Sequence, residues 1–219
     1  MKIRSKKSLL ATAGGAAFAL MVATGLQAQS SPERTNTFSG SFTPLNGSGV
    51  EGTFTIEQRG QGQIRVMIDA SGLEPTPNPH VAHIHGLSGS TEAVCPTLAQ
   101  DEAGDNDGFI ELAEGVPVYG PIIIPLGDID PDNDGVVSYS ETFNLNQSTS
   151  FADGKAKTDL FPIESREIII HGLSLSDGDG ANGGEADGTA GYKVVLPVAC
   201  GNVEMDSRPG ETRPKTVRF

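Results

Sequence analysis

Tryptophan is absent from the 219 residues, and aromatic side chains make up only 5% of them. A chain this poor in flat rings lacks the stacking platforms on which bases or sugars are held. Basic residues are also scarce: 15 Lys and Arg stand against 28 Asp and Glu, for a net charge of −13. Such a balance argues against nucleic acid and against an anionic membrane surface as partners, and suits cations instead. There are only two cysteines, Cys95 and Cys200, too few for a disulfide-rich scaffold or a four-thiolate metal site. No serine sits in a nucleophile elbow, and no glycine-rich phosphate loop is present. Beyond the first 28 residues no apolar run is long enough to span a bilayer.

The first 28 residues differ from the rest. Lys2, Arg4, Lys6 and Lys7 precede an apolar stretch from Leu9 to Leu26, followed by Gln27-Ala28. This is the pattern of a signal peptide cleaved after Ala28, and it predicts a secreted or periplasmic protein with no membrane attachment after cleavage. Residues 29–36 are polar and are expected to form a flexible N-terminus, and residues 205–219, with Pro209 and Pro214, a disordered tail. In an oxidising compartment the isolated cysteine pair is most simply a disulfide closing a loop of about 100 residues, for which chain entropy gives about 4.7 kcal/mol. Two free thiols ligating a metal are the alternative.

Between these ends the chain is punctuated by short runs of period two. Phe38 to Phe42, Thr53 to Glu57 and Gln63 to Asp69 are separated by Gly-rich turns, and the third places Ile64, Val66 and Ile68 on one face. Val118 to Leu126, Val136 to Asn146, Arg166 to His171 and Tyr192 to Val203 read as further strands, and Ser88 to Glu114 as an acidic loop. No long stretch shows helical periodicity. The prediction is one all-β domain over residues 37–204, an antiparallel sandwich or barrel.

Two stretches carry chemistry. His80, His83 and His85 lie within six residues, and the last of the four histidines, His171, ends an isoleucine run. On a strand His83 and His85 share a face about 6.6 Å apart, so two imidazoles can converge on one ion, with a distant strand histidine as a third ligand for copper or zinc. The second stretch, Asp130 to Glu141, fits a calcium loop of the EF-hand type. Asp130, Asp132 and Asp134 stand at positions 1, 3 and 5, Gly135 at the turn, the Val136 carbonyl at 7, Ser138 at 9 and Glu141 at 12. A degenerate copy at 103–114 keeps Asp105, Asp107, Phe109, Glu111 and Glu114, but Ala103 cannot ligate at position 1, where Asp101 is the candidate substitute. Asp177 and Asp179 with Glu185 and Asp187 read as a solvated loop.

Ser71-Gly72-Leu73-Glu74-Pro75, then His80, His83, His85 and Cys95, then Ile170-His171-Gly172 and Ala199-Cys200-Gly201, resemble in order the motifs of the copper/zinc superoxide dismutase family. The resemblance spans about residues 36–203 and implies an eight-stranded Greek-key β-barrel with long acidic loops. It implies a Cys95–Cys200 bridge, copper held by His83, His85 and His171, and His80 as a supporting histidine that is not a ligand. The chain departs from the family in lacking a histidine to bridge copper and zinc and two further zinc histidines, so zinc is not expected. Pro197 also stands where the family places a substrate-guiding arginine. The Ala82-His83-Ile84-His85-Gly86 run is also similar to chordin-type domains. Two functions follow: a superoxide dismutase-like copper enzyme, or a non-enzymatic, calcium-binding extracellular module of the chordin-like kind.

Overall fold

A computed structural model describes residues 35–181, 184, 186 and 188–207. The expected signal peptide (1–28) and the tail beyond 207 lie outside the described residues, as do Glu185 and Asp187.

The all-β expectation holds. Among the described residues, nine antiparallel strands form one continuous sheet: β1 (Thr35–Pro44), β2 (Glu51–Arg59), β3 (Gln63–Ser71), β4 (Val81–His85), β5 (Ile122–Asp128), β6 (Val136–Asn144), β7 (Glu167–Leu175), β8 (Gly191–Asn202) and β9 (Glu204–Ser207). Eight follow the order β5-β4-β7-β8-β1-β2-β3-β6, and β9 pairs with β1. The order jumps between hairpins, because β3 leads across to β4, and β6 across to β7. The two end strands, β5 and β6, nearly close the barrel: the Tyr139 hydroxyl oxygen of β6 lies 3.0 Å from the Leu126 carbonyl oxygen of β5.

Alternation explains most of the core. Along β3, Ile64, Val66 and Ile68 are fully buried while Gln63, Asp69 and Ser71 are exposed. Phe54 and Ile56 of β2 face the same interior. Each such side chain contributes about 1.5–3 kcal/mol of transfer free energy. β7 behaves differently. Ile168 and Ile170 enter the main core, whereas Ile169, also fully buried, packs outside the barrel with Tyr119 and Cys200. A strand covered on both faces needs no alternation, which accounts for its unbroken Ile-Ile-Ile run.

Several expected boundaries are corrected. Thr35 and Asn36 belong to β1 rather than to a loose terminus, with the Asn36 amide donating to Gln58 Oε1 at 2.8 Å. Residues 205–207 belong to β9 rather than to a tail. The region read as one acidic loop contains α1 (Leu98–Ala103) and α2 (Leu112–Tyr119), and Val118 and Tyr119 end α2 instead of starting a strand. Both helices are too short for a periodic signal. α2 starts with a reciprocal cap between Glu111 and Glu114 and has Pro117 inside. It is held by packing: its Val116, Val118 and Tyr119 cover Ile169 and Cys200.

Candidate metal centre

The register of β4 against β7 builds the centre. Ala82 and Ile84 point into the core, so His83 and His85 point to the other face. Val81 pairs with His171, His83 with Ile169 and His85 with Glu167. Residues directly opposite share a face, so His171 joins the two β4 histidines on the outside of the barrel. One ligand nitrogen from each of the three rings lies within 4.8 Å of the other two. Ring centroids are 5.5 Å apart for His83–His85, 5.1 Å for His83–His171 and 5.7 Å for His85–His171.

The hydrogen bonds behind the rings set their tautomers. His85 Nδ1–H donates to the Gly120 carbonyl at 2.9 Å, and His171 Nδ1–H donates to the Val195 carbonyl at 2.9 Å. A carbonyl only accepts, so each Nδ1 carries the proton and each Nε2 presents a lone pair. His85 Nε2, His171 Nε2 and His83 Nδ1 are all buried with no hydrogen-bond partner among the described residues. Three converging, unpartnered imidazole nitrogens in a desolvated site are what a cation with an affinity for imidazole fits. Burial pushes the His83 imidazole down to about 4. It pushes His85 and His171 down to about 3, with smaller contributions from the neighbouring histidines. All three are therefore neutral at pH 7, and no proton has to leave before an ion binds. His83 is the most exposed of the three and faces the approach from solvent.

α2 covers the centre. Tyr119 is fully buried and meets the His85 ring edge-on at 4.8 Å between centroids. Gly120 has φ +80°, and a Cβ there would overlap the Gly86 carbonyl. Glycine thus lets the end of α2 close on the residue that follows His85.

The fourth histidine does not join them. His80 is fully buried behind β7, where its Nε2–H donates to the Glu74 carbonyl at 2.9 Å and its Nδ1 lies 3.4 Å from the His171 carbonyl oxygen. Pro197 pairs with His171 across β7 and β8, so no cationic side chain projects from that position. Arg166 does not replace it: fully buried, it donates to the carbonyls of Leu87, Gly89 and Leu160 and ties down the loop after Gly86.

Cys95 and Cys200 form a disulfide, which removes the free-thiol alternative. Glu167 Oε2 lies 3.2 Å from Cys95 Sγ, and the Asn202 amide lies against both carboxyl oxygens. Burial, with a smaller contribution from the charge of Glu92, pushes the Glu167 carboxyl up to about 9. Nothing in the sequence pattern flagged Glu167 or Tyr119; both acquire their roles from neighbours distant in the chain.

The acidic loops assemble only in part. Asp130, Asp132 and Asp134 bring their carboxylates together, as their spacing predicts. Glu141 does not join them. The chain enters β6 at Val136, and a strand rising about 3.3 Å per residue carries Glu141 away where a helix would bring it back. Glu141 accepts from the Tyr139 hydroxyl at 2.8 Å instead. In the 103–114 stretch, Asp105, Asp107 and Glu111 form one group, and Asp101, Asp105 and Glu114 another. Asp101 thus stands where Ala103 cannot serve. The Phe109 N–H donates to Asp107 Oδ1 at 2.9 Å.

No family model matches the chain, and no curated protein matches it. Among solved structures, superoxide dismutase 5 of Candida albicans is similar. Its copper(II) form is 15% identical, covering 84% of this chain and 99% of that one, with a TM-score of 0.36. One single-residue variant of it matches at 15% identity and TM-score 0.38, and another at 14% and 0.39, each over the same shares of the two chains. The strand order and the histidine geometry described above are those of this chain's own residues.

Proposed function

We propose that this chain is an exported superoxide dismutase-like protein that holds copper between His83, His85 and His171. The observation that carries the reading is the convergence of three buried, unpartnered imidazole nitrogens on one face of β4 and β7. Copper held there would supply a one-electron redox couple. The chain's own residues supply the rest. The Gly120 and Val195 carbonyls orient His85 and His171. Tyr119 and α2 exclude water from one side, and His83 leaves the other side accessible to a small molecule. Superoxide dismutation is the activity proposed. Loading the purified protein with Cu²⁺ and assaying dismutation against free-copper controls and a His171→Ala variant tests it. A rate no greater than free copper rejects the enzymatic reading.

A specific observation favours a second reading, a non-enzymatic extracellular module of chordin-like kind in which the metal is held without turnover. Pro197 offers no positive charge beside His171, and the chain as a whole is acidic. An anionic substrate would meet repulsion rather than steering. In both readings the acidic loops are structural calcium sites: Asp130, Asp132 and Asp134 form the stronger, and Asp105, Asp107, Glu111 and Glu114 with Asp101 the weaker. Copper bound at one equivalent with no dismutation above free copper establishes the second reading over the first.

A further inference from the structure

The turn between β5 and β6 holds more than clustered acids. Asp130, Asp132 and Asp134 each place a carboxylate oxygen within 4.8 Å of the other two. Such clusters are common on acidic surfaces, but Asp130 is only 1% exposed. Its Oδ2 accepts the Gly135 N–H at 3.0 Å. Its Oδ1 is buried with no hydrogen-bond partner. A buried carboxylate oxygen without a donor carries a desolvation cost that a bound cation offsets. An all-oxygen donor set suits a hard divalent ion.

The same turn bears on the histidine centre from both of its ends. At one end, the N–H of Ile129, next to Asp130, donates to the His80 carbonyl at 2.9 Å. At the other end, Gly135 has φ +81° and packs so closely that a Cβ would collide with the Leu73 carbonyl and lie 3.7 Å from Pro75 Cγ. Glu74, between those two residues, accepts His80 Nε2–H on its carbonyl at 2.9 Å and the Ser174 N–H on its carboxylate at 3.0 Å. His80 Nδ1 in turn lies 3.4 Å from the His171 carbonyl oxygen. Both ends of the loop thus meet at the residue that backs the ligand His171.

We propose that Asp130, Asp132 and Asp134 hold a calcium-class cation without Glu141, and that its binding tightens metal binding at His83, His85 and His171 through His80. The inference rests on the reading of the three histidines as a metal centre. A cation at Asp130 fixes the turn from Ile129 to Gly135. A fixed turn holds His80 and Glu74 in place against β7, so less ordering remains for the histidine centre when its own metal binds. Linkage makes the effect reciprocal: each ion raises the affinity of the other by the same factor. Couplings of this kind run from about 5- to 150-fold, and about tenfold is expected for contacts this indirect.

The test is a pair of calorimetric titrations on the full chain: Cu²⁺ with and without saturating Ca²⁺, and Ca²⁺ with and without Cu²⁺ loaded. The expected result is Ca²⁺ binding in the wild type and about a tenfold rise in affinity in each direction. Asp130→Asn, close in shape, should lose the tighter Ca²⁺ site, leaving only the weaker one at Asp105, and keep Cu²⁺ binding at its calcium-free affinity. His80→Gln should keep both ions and lose the mutual enhancement. Should His80→Gln fail to fold, the two wild-type titrations decide alone. Absence of Ca²⁺ binding, or Ca²⁺ binding left unchanged by Asp130→Asn, overturns the cation site. Equal Cu²⁺ affinity with and without Ca²⁺ overturns the coupling. Cu²⁺ affinity unchanged by His171→Ala, with Ca²⁺ still bound, marks failure of the histidine reading and takes the coupling with it.

Discussion

The histidine centre and the acidic loops are built by different means. His83, His85 and His171 stand on two paired strands whose opposite face is core, with Ala82, Ile84, Ile168 and Ile170 all fully buried. Sliding either strand by one residue would turn these apolar side chains outward, so the burial that stabilises the barrel also fixes the ligands. The acidic loops have no such template. Asp130 is anchored, but Asp132 and Asp134 are exposed, and Glu141 follows its strand away from them. Ligands set by register are preorganised before any ion arrives. Ligands set by a turn need the ion, or neighbours such as His80, to order them.

The largest test of that contrast removes the brace around the first region. Replacing Cys95 and Cys200 with Ala frees a span of 105 residues. It should cost about 4–5 kcal/mol in urea denaturation, and because the bridge packs beside α2 it should also loosen the cover over His85. Next, His171→Ala removes one of three register-set ligands. Cu²⁺ affinity should fall by more than the roughly 10–100-fold typical of losing a group that merely supports a ligand, whereas Ca²⁺ affinity should stay the same without Cu²⁺ and drop only by the coupling factor of about ten in its presence. Equal losses at both sites would mean that the regions are not built independently.

Millimolar Ca²⁺ should raise the melting temperature, and stabilisation by about 2.7 kcal/mol is expected at a hundred times the dissociation constant. Asp130→Asn should remove most of that gain and Asp105→Asn less. No shift in melting at millimolar Ca²⁺ would leave the loops as solvated turns.

Last come effects that only a change of pH exposes, and here the buried histidines and the buried Glu167 of the first region act oppositely. The metal-free histidines have depressed values of about 4 and 3. The unfolded chain therefore takes up protons first, and the histidine contribution should be full above about pH 6.5 and fall as pH drops towards 3. Glu167 is raised to about 9. Its contribution is full below about pH 4.5 and should be lost progressively as pH rises from there to about 9. Urea midpoints across pH should show both limbs, with Glu167→Gln flattening only the alkaline one. Saturating Cu²⁺ should move the acid limb to lower pH, because ions and protons compete for the same ring nitrogens.

Much of this was legible in the residues. The period-two runs placed β2 and β3, and Ile64, Val66 and Ile68 fell on one face as their spacing requires. The pairing of Cys95 with Cys200 and the meeting of His83, His85 and His171 could be anticipated from motif order. The helices could not: α1 and α2 have 6 and 8 residues, less than the repeat needed for a helical signal, and α2 depends on Ile169 and Cys200 beneath it. Nor could the outcome at Glu141. A loop motif specifies ligands by count along the chain, but it assumes the helix that follows, and here β3 pairs with β6 from Val136 onward.

By itself, then, the sequence determined which residues alternate, which carry imidazole and carboxylate, and that two cysteines could close the long loop, because these follow from local period and side-chain chemistry. Only the tertiary structure decided which of them meet. The pairing of Val81 with His171 brings together histidines 86 and 88 residues apart in the numbering. Burial then strips their nitrogens of water, and carbonyls from Gly120 and Val195 choose the tautomers. Strand pairing and desolvation are properties of neighbours far along the chain, and local pattern does not encode them.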